Sequence, residues 1–85
     1  MYMKVELVSA PGCVHCKEVE TILEEIKPDF PALEVEIVEM LTPKGQEMIQ
    51  KYQIMASPGI VIDGDLFATG GVKKDQLVEK LTSLR

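Results

Sequence analysis

The sequence lacks several features that would place it in a common functional class. It contains no tryptophan, one histidine and two cysteines, and its aromatic fraction is only 5%. No apolar run approaches the roughly 20 residues that a transmembrane helix requires, so we expect no membrane span. A secreted scaffold held by disulfides would carry more cysteines, spread along the chain. The composition therefore predicts a globular domain that depends on neither a membrane nor a disulfide framework.

Positive charge is also scarce. Nine basic residues face 14 acidic ones, which gives a net charge of −5. Binding to phosphate backbones needs clustered Lys and Arg, so this balance argues against a nucleic-acid partner. The segment before the first turn is too short and too polar for a secretory signal, which predicts a cytoplasmic protein.

The amount of apolar material fits one domain. The chain has 85 residues, of which 46% are hydrophobic and 27% charged. This is ordinary composition for a single globular unit, and the sequence contains no linker, repeat or low-complexity stretch. We therefore expect one domain over residues 1–85, acting as a monomer.

The first half of the chain predicts a strand, a helix and a second strand. Lys4–Ser9 is rich in β-branched residues and ends at a Pro-Gly turn. Between Cys13 and Lys27 the apolar residues recur at helical spacing and form one face. Leu33–Ile37 alternates as a half-exposed strand does, and Val38–Met40 is expected to fade into a loop.

The second half predicts a helix, a hairpin and a last helix. Thr42 and Pro43 are typical of a helix start, although Gly45 is expected to weaken the first turn. A strand at Ile60–Ile62 and a returning strand at Leu66–Thr69 flank a turn sequence. The closing helix carries its apolar positions at Leu77, Val78, Leu81 and Leu84.

The predicted order is therefore β-α-β-α-β-β-α, an α/β fold. A helix that joins two neighbouring strands by a crossover implies that the strands are parallel and that the connection is right-handed. The last two strands form an antiparallel hairpin. We expect a four-stranded mixed sheet with helices on both faces.

The two cysteines carry the chemistry. They form the motif Cys13-Val14-His15-Cys16 directly after a Pro-Gly turn, which places Cys13 at the start of the helix. The free N–H groups and the positive end of the helix dipole favour a thiolate there. Cys16 follows one turn later on the same side, so the two sulfurs can form a disulfide. We expect Cys13 to attack and Cys16 to resolve the mixed disulfide.

The arrangement of motifs resembles the thioredoxin/glutaredoxin superfamily over nearly the whole chain. A first strand and a Pro-Gly turn precede the CxxC helix, Ser57-Pro58 precedes an apolar strand, and Gly70-Gly71 follows the hairpin. In size the chain is most similar to small, glutaredoxin-sized thioredoxin-like proteins of archaea and bacteria. The resemblance implies a thioredoxin-like fold in which the Ser57–Pro58 bond is cis. It also implies that Ser57, Pro58, Gly70 and Gly71 contact substrate.

The same resemblance implies the activity. The protein is expected to be a dithiol–disulfide oxidoreductase that reduces disulfides in partner proteins. Its reductant would be a thioredoxin-reductase-like enzyme or a low-molecular-weight thiol. No cofactor or metal is expected beyond the redox-active disulfide Cys13–Cys16.

His15 precedes the second cysteine, as a histidine does in protein disulfide isomerases. An imidazolium at this position would stabilise the Cys13 thiolate and make the disulfide more oxidising. We therefore predict a pair less reducing than thioredoxin, whose potential is roughly −270 mV. The alternative interpretation is a solvated side chain with little effect.

Three other functions remain open at this point. The chain could be a glutaredoxin-like reductase that depends on glutathione. The CxxC could bind zinc, although tetrahedral structural zinc takes four ligands and would need a second copy of the chain to complete them. A redox-inert interaction domain could also have kept the same scaffold.

Overall fold

The computed structural model describes residues 3–84, which contain four strands and three α-helices. A short 3₁₀ helix, Lys27–Asp29, directly follows the first α-helix. The elements in chain order are β1 (Met3–Ser9), α1 (Val14–Ile26), β2 (Leu33–Glu39), α2 (Pro43–Tyr52), β3 (Gly59–Ile62), β4 (Asp65–Thr69) and α3 (Lys74–Leu84).

The strands form one mixed sheet in the order β2-β1-β3-β4. β1 pairs with β2 in parallel and with β3 in antiparallel orientation, and β3 pairs with β4 in antiparallel orientation. The parallel pair and the hairpin are those predicted from the order of elements. The predicted α/β architecture is confirmed.

Apolar side chains cover both faces of the sheet. On one face, α1 and α3 pack against alternate residues of β1 and β3. On the other face, α2 packs against the remaining alternate residues of these strands. The residues less than 1% exposed on the first face are Val5, Leu7, Ile60, Leu77 and Leu81, and on the second face Val8 and Val61. The strictly central strands β1 and β3 are therefore buried from both sides, as expected for a sheet between helices.

The predicted end of β2 was wrong. The strand does not fade after Ile37 but continues through Glu39. Its last residues remain paired with β1, where Val38 faces Val8 and Glu39 faces Ser9. Val38 breaks the simple alternation because it is buried under α2.

The start of α2 follows the prediction, but Gly45 has a role beyond weakening the helix. Thr42 is the N-cap, and its Oγ1 accepts a hydrogen bond from Gly45 N at 3.1 Å. A Cβ atom at Gly45 would overlap the carbonyl oxygen of Glu39 and lie 2.7 Å from Met40 Cα. Only glycine therefore allows α2 to pack this closely against the end of β2.

The hairpin between β3 and β4 turns through Asp63 and Gly64, both with positive φ (49° and 85°). This is the backbone geometry that the Asp-Gly sequence predicts for a two-residue hairpin. Asp63 Oδ1 also accepts a hydrogen bond from Lys4 N at 2.8 Å, which ties the turn to the beginning of β1.

None of the helices within residues 3–84 combines the length and the hydropathy needed to cross a membrane.

Candidate active site

The loop between β1 and α1 places Cys13 at the beginning of the helix. The chain leaves β1 at Ser9, and Cys13 N donates a hydrogen bond to Ala10 O at 3.3 Å, which closes the turn. Gly12 has a φ of +72°, a conformation that favours glycine. Cys13 itself is extended (φ −80°, ψ 113°) and is the N-cap of α1. The Pro-Gly turn therefore delivers this cysteine to the position where helix N–H groups are unpaired.

The two cysteines form a disulfide, with their Cα atoms 5.2 Å apart. Cys16 N donates to Cys13 Sγ at 3.1 Å, so the sulfur takes the place of the side-chain oxygen that usually caps a helix. Cys13 is half-buried, whereas Cys16 is 1% exposed. An incoming reagent can therefore reach the first sulfur more readily than the second. In the reduced protein, the donated hydrogen bond favours the thiolate form of Cys13.

Pro58 lies at the same end of the sheet as the dithiol. The Ser57–Pro58 peptide bond is cis, Pro58 is fully buried, and Ser57 is half-buried. Gly59 follows as the first residue of β3 and pairs with Val8 of β1. Because β1 leads directly into the cysteine loop, the Ser57–Pro58 segment lies beside that loop.

Gly70 and Gly71 connect this segment to the CxxC helix. Gly70 N donates to Pro58 O at 2.9 Å. A Cβ atom at Gly71 would lie 4.0 Å from His15 Cβ, so this glycine packs directly against α1. Both glycines have positive φ (81° and 130°), which explains why glycine occupies these positions. The structure thus brings the predicted site residues to one end of the sheet, where the loops lie.

His15 projects into solvent on the first turn of α1. Its side chain is 65% exposed, and its Nδ1 lies 3.4 Å from Glu18 Oε2. Glu18 was not among the predicted site residues. The spacing of i and i+3 on a predicted helix was the signal that could have found it.

An open cleft borders the cysteines on the side of β2. Its polar lining includes Ser9 of β1, Lys17 and Glu20 of α1, and Glu39 of β2. None of these four residues was among the predicted site residues. Glu39 joins the cleft only through its register with Ser9, and local sequence carries no sign of that pairing. The cleft gives water and polar groups of a substrate access to the dithiol.

Two exposed apolar side chains lie close in sequence to the predicted site residues. Val14, directly after Cys13, is 69% exposed, and Met55, two residues before Ser57, is 94% exposed. Both side chains are therefore available for contact with another molecule.

The described residues do not assemble a metal centre. Within residues 3–84, no group of three or more His, Cys, Asp and Glu side chains is placed to hold an ion. Structural zinc takes four ligands of these types.

Comparison with known proteins gives a consistent result. Residues 3–83 match the family model described as the thioredoxin domain. The chain is 36% identical over 80 residues to a thioredoxin from Methanocaldococcus jannaschii, and the match covers 93% of this chain and 92% of that protein.

Solved structures share the fold. A domain of alkylhydroperoxide reductase AhpF from Enterococcus faecalis superimposes with a TM-score of 0.79 at 25% identity, over 95% of this chain and 38% of that chain. Mitochondrial thioredoxin 3 from Saccharomyces cerevisiae, in its oxidised form, gives a TM-score of 0.74 at 18% identity. That match covers 95% of this chain and 77% of the yeast chain.

Proposed function

The chain belongs to the thioredoxin domain family and is a thiol–disulfide oxidoreductase, and from this premise we propose that it reduces partner proteins through Cys13 and Cys16. The Cys13 thiolate attacks one sulfur of a disulfide in the partner. A bond forms between Cys13 Sγ and that sulfur, the partner's S–S bond breaks, and the other sulfur leaves as a thiolate that takes a proton from water.

Cys16 completes the reaction. Its thiol loses a proton and attacks Cys13 Sγ, which forms the internal disulfide and breaks the mixed disulfide. The partner leaves with both sulfurs reduced, having received two electrons. A reductant must then return two electrons and two protons to the protein. A reductase enzyme and a low-molecular-weight thiol are the two classes able to do so.

One observation carries the assignment of roles to the two cysteines. Cys13 Sγ accepts the N–H of Cys16 at the start of α1, while Cys16 is 1% exposed. The first sulfur is therefore both accessible and stabilised as an anion, and the second is sheltered one helical turn away. This asymmetry favours attack by Cys13 and resolution by Cys16.

The partner's polypeptide is proposed to lie over Ser57, Pro58, Gly70 and Gly71. Ser57, Gly70 and Gly71 are at least partly exposed, and the buried Pro58 links them from below. Gly70 N bonds to Pro58 O, and Gly71 packs against His15. In this arrangement the backbone of Ser57 pairs with an extended segment of the partner. Val14 and Met55 add exposed apolar contact area at the rim.

The cellular context is part of the proposal. We propose that residues 1–85 form one monomeric domain that acts in the cytoplasm, where a catalytic dithiol is kept reduced. The proposed cycle needs no organic cofactor and no metal, because the exchanged electrons stay on sulfur throughout.

Trapping of the mixed disulfide tests the two roles. The Cys16→Ser variant, incubated with insulin whose disulfides are intact, is expected to accumulate a covalent adduct that dithiothreitol releases. The matched Cys13→Ser variant is expected to form none. An adduct on Cys13→Ser but not on Cys16→Ser would reverse the roles, and an inert wild-type protein would contradict the function itself.

A further inference from the structure

His15 has a charged partner that the proposed reaction does not use. Glu18 lies one turn further along α1, and its Oε2 is 3.4 Å from His15 Nδ1. A carboxylate only accepts hydrogen bonds, so Nδ1 is the nitrogen that carries the proton in this contact. Within residues 3–84, Glu18 is the carboxylate in ion-pair distance of His15.

Among residues 3–84, the contact with Glu18 is the main polar interaction of the His15 side chain. The turn packed against its Cβ contributes Gly71, which has no side chain and no charge. On the helix itself, Lys17 is exposed and lines the cleft beside Glu20 and Glu39. The ring of His15 is thus bounded by an uncharged turn near its Cβ and by a carboxylate at its Nδ1.

We propose that Glu18 is a positioning residue for the redox reaction, which fixes the orientation of the His15 imidazole on the first turn of α1 by accepting the Nδ1–H. The inference rests on the proposed function and on the prediction from the sequence that a positive charge on His15 stabilises the reduced form. A ring held in one orientation keeps its charge at a fixed distance from Cys13, whereas a free ring does not. Glu18 therefore sets how strongly His15 shifts the equilibrium between dithiol and disulfide.

The expected effect is modest because both side chains are more than half exposed, at 65% and 61%. Ion pairs in such positions change an equilibrium constant by a factor of about 1.5 to 5. An effect of this size is measurable as a difference between variants. It is also distinct from the direct effect of the Glu18 charge on Cys13, which does not depend on His15.

A double-mutant cycle separates the two effects. The equilibrium constant between dithiol and disulfide is measured against a glutathione buffer at pH 7 for the wild type, His15→Gln, Glu18→Ala and the double variant. His15→Gln is expected to lower the constant for reduction in the wild type. In the Glu18→Ala background the same substitution should have an effect smaller by a factor of about 1.5 to 5.

Glu24→Ala is the matched control, because Glu24 is also an exposed glutamate of α1. In that background His15→Gln should have its full wild-type effect. An unchanged effect of His15→Gln in the Glu18→Ala background would overturn the proposal, as would a His15→Gln variant with the wild-type constant. Either result would leave the proposed function standing if the wild type still reduces insulin.

Discussion

The sulfur of Cys13 occupies a position that usually belongs to a serine, threonine or aspartate oxygen. It caps α1 by accepting the N–H of Cys16 at 3.1 Å. The same N–H group and the helix dipole remain in place when the disulfide is reduced. The cap is therefore also the device that favours the thiolate.

The reactivity of the two thiols should differ accordingly. In the reduced protein, iodoacetamide is expected to modify Cys13 near neutral pH, because the N–H groups at the start of α1 favour its thiolate form. Cys16, which is 1% exposed, should react far more slowly. The measurement is the rate of alkylation against pH, followed by mass spectrometry of the modified peptide.

The Cys16→Ser variant is the control for that measurement, since it reports on Cys13 alone. The result that would contradict the expectation is an ordinary alkaline ionisation of Cys13 together with slow alkylation. Preferential labelling of Cys16 in the wild type would contradict the difference in accessibility.

The carboxylate of Glu36, on β2, lies between two lysines. It pairs with Lys44 of α2 and, through Oε1 at 3.1 Å, with Lys4 of β1. Lys44 Nζ also lies 3.8 Å from Glu6 Oε2. Hydrogen bonds from Lys44 and then Lys4 hold the pKa of Glu36 below its ordinary value of 4.5.

This shift predicts a pH-dependent contribution to stability. A lowered pKa means that the folded state favours the charged carboxylate, so the contribution is fully present above the unfolded-state pKa and is lost as pH falls through the folded-state pKa. Glu36→Gln should therefore lower the free energy of unfolding at pH 7, and the difference from wild type should close as the pH falls below the ordinary pKa of 4.5. Urea unfolding across this range measures it.

Glu24→Gln serves as the comparison, because it removes an exposed glutamate from α1 without touching this cluster. Its effect should vary less with pH than that of Glu36→Gln. A Glu36→Gln variant whose difference from wild type is constant from pH 7 to acid pH would show that the two lysines do not favour the charged form.

At the scale of elements, α2 shows a conflict between local preference and packing. Glycine is a poor helix former, and Gly45 was expected to weaken the first turn of this helix. The structure shows the reason for its presence, because a Cβ atom would overlap the backbone of Glu39. The close approach of α2 to the end of β2 therefore decides the residue, and helix propensity does not.

Gly45→Ala is accordingly expected to destabilise the protein despite a gain in helix propensity of about 1 kcal/mol. Because the obstructing atoms belong to the backbone, α2 has to move, and overpacking of this kind costs about 1–3 kcal/mol. The free energy of unfolding should fall, as measured by urea denaturation. Gln50→Ala, at an exposed position of the same helix, should be close to neutral, and a stabilised Gly45→Ala variant would contradict the packing argument.

The elements differ in how well their sequence predicts them. The helical spacing of Val19, Leu23 and Ile26 and the capping pair Thr42–Pro43 are local signals, and the structure has both helices where these signals place them. The end of β2 was missed because Val38 and Glu39 are held by partners on β1, far away in the sequence. Local patterns therefore predicted the elements, whereas pairing decided where this strand ends.

At the scale of the whole molecule, α3 completes the core that α1 begins. Leu77 and Leu81 of α3 are fully buried against the same face of the sheet as α1. In a chain of 85 residues the apolar core is small, so each such side chain represents a large share of the total stability.

Leu81→Ala is expected to lower the free energy of unfolding by about 2–5 kcal/mol, through lost burial and the cavity left behind. The adjacent Thr82 is exposed, and Thr82→Ala should change the stability by less than about 0.5 kcal/mol. Thermal and urea unfolding measure both. Equal effects of the two substitutions would show that α3 does not share the core of the sheet.

The site itself is a product of the whole fold. The sequence predicted the chemistry of Cys13 and Cys16, because their spacing and the preceding turn are local. The link from Gly70 to Pro58 and from Gly71 to His15 depends on how three separate loops meet, and only the resemblance to a family indicated those residues beforehand. Glu39 and Ser9 entered the cleft through strand register, which no local pattern encodes.

The Asp63–Gly64 hairpin suggests a practical use of the molecule. Asp63 is bonded to Lys4 at the beginning of β1, while the cysteine loop follows Ser9 at the other end of that strand. Five residues of extended chain span roughly 17 Å, so a linker inserted into the chain at the Asp63–Gly64 turn would emerge well away from the reacting sulfurs. A resin coupled through that linker would give an immobilised disulfide reductant whose dithiol remains accessible to large protein substrates.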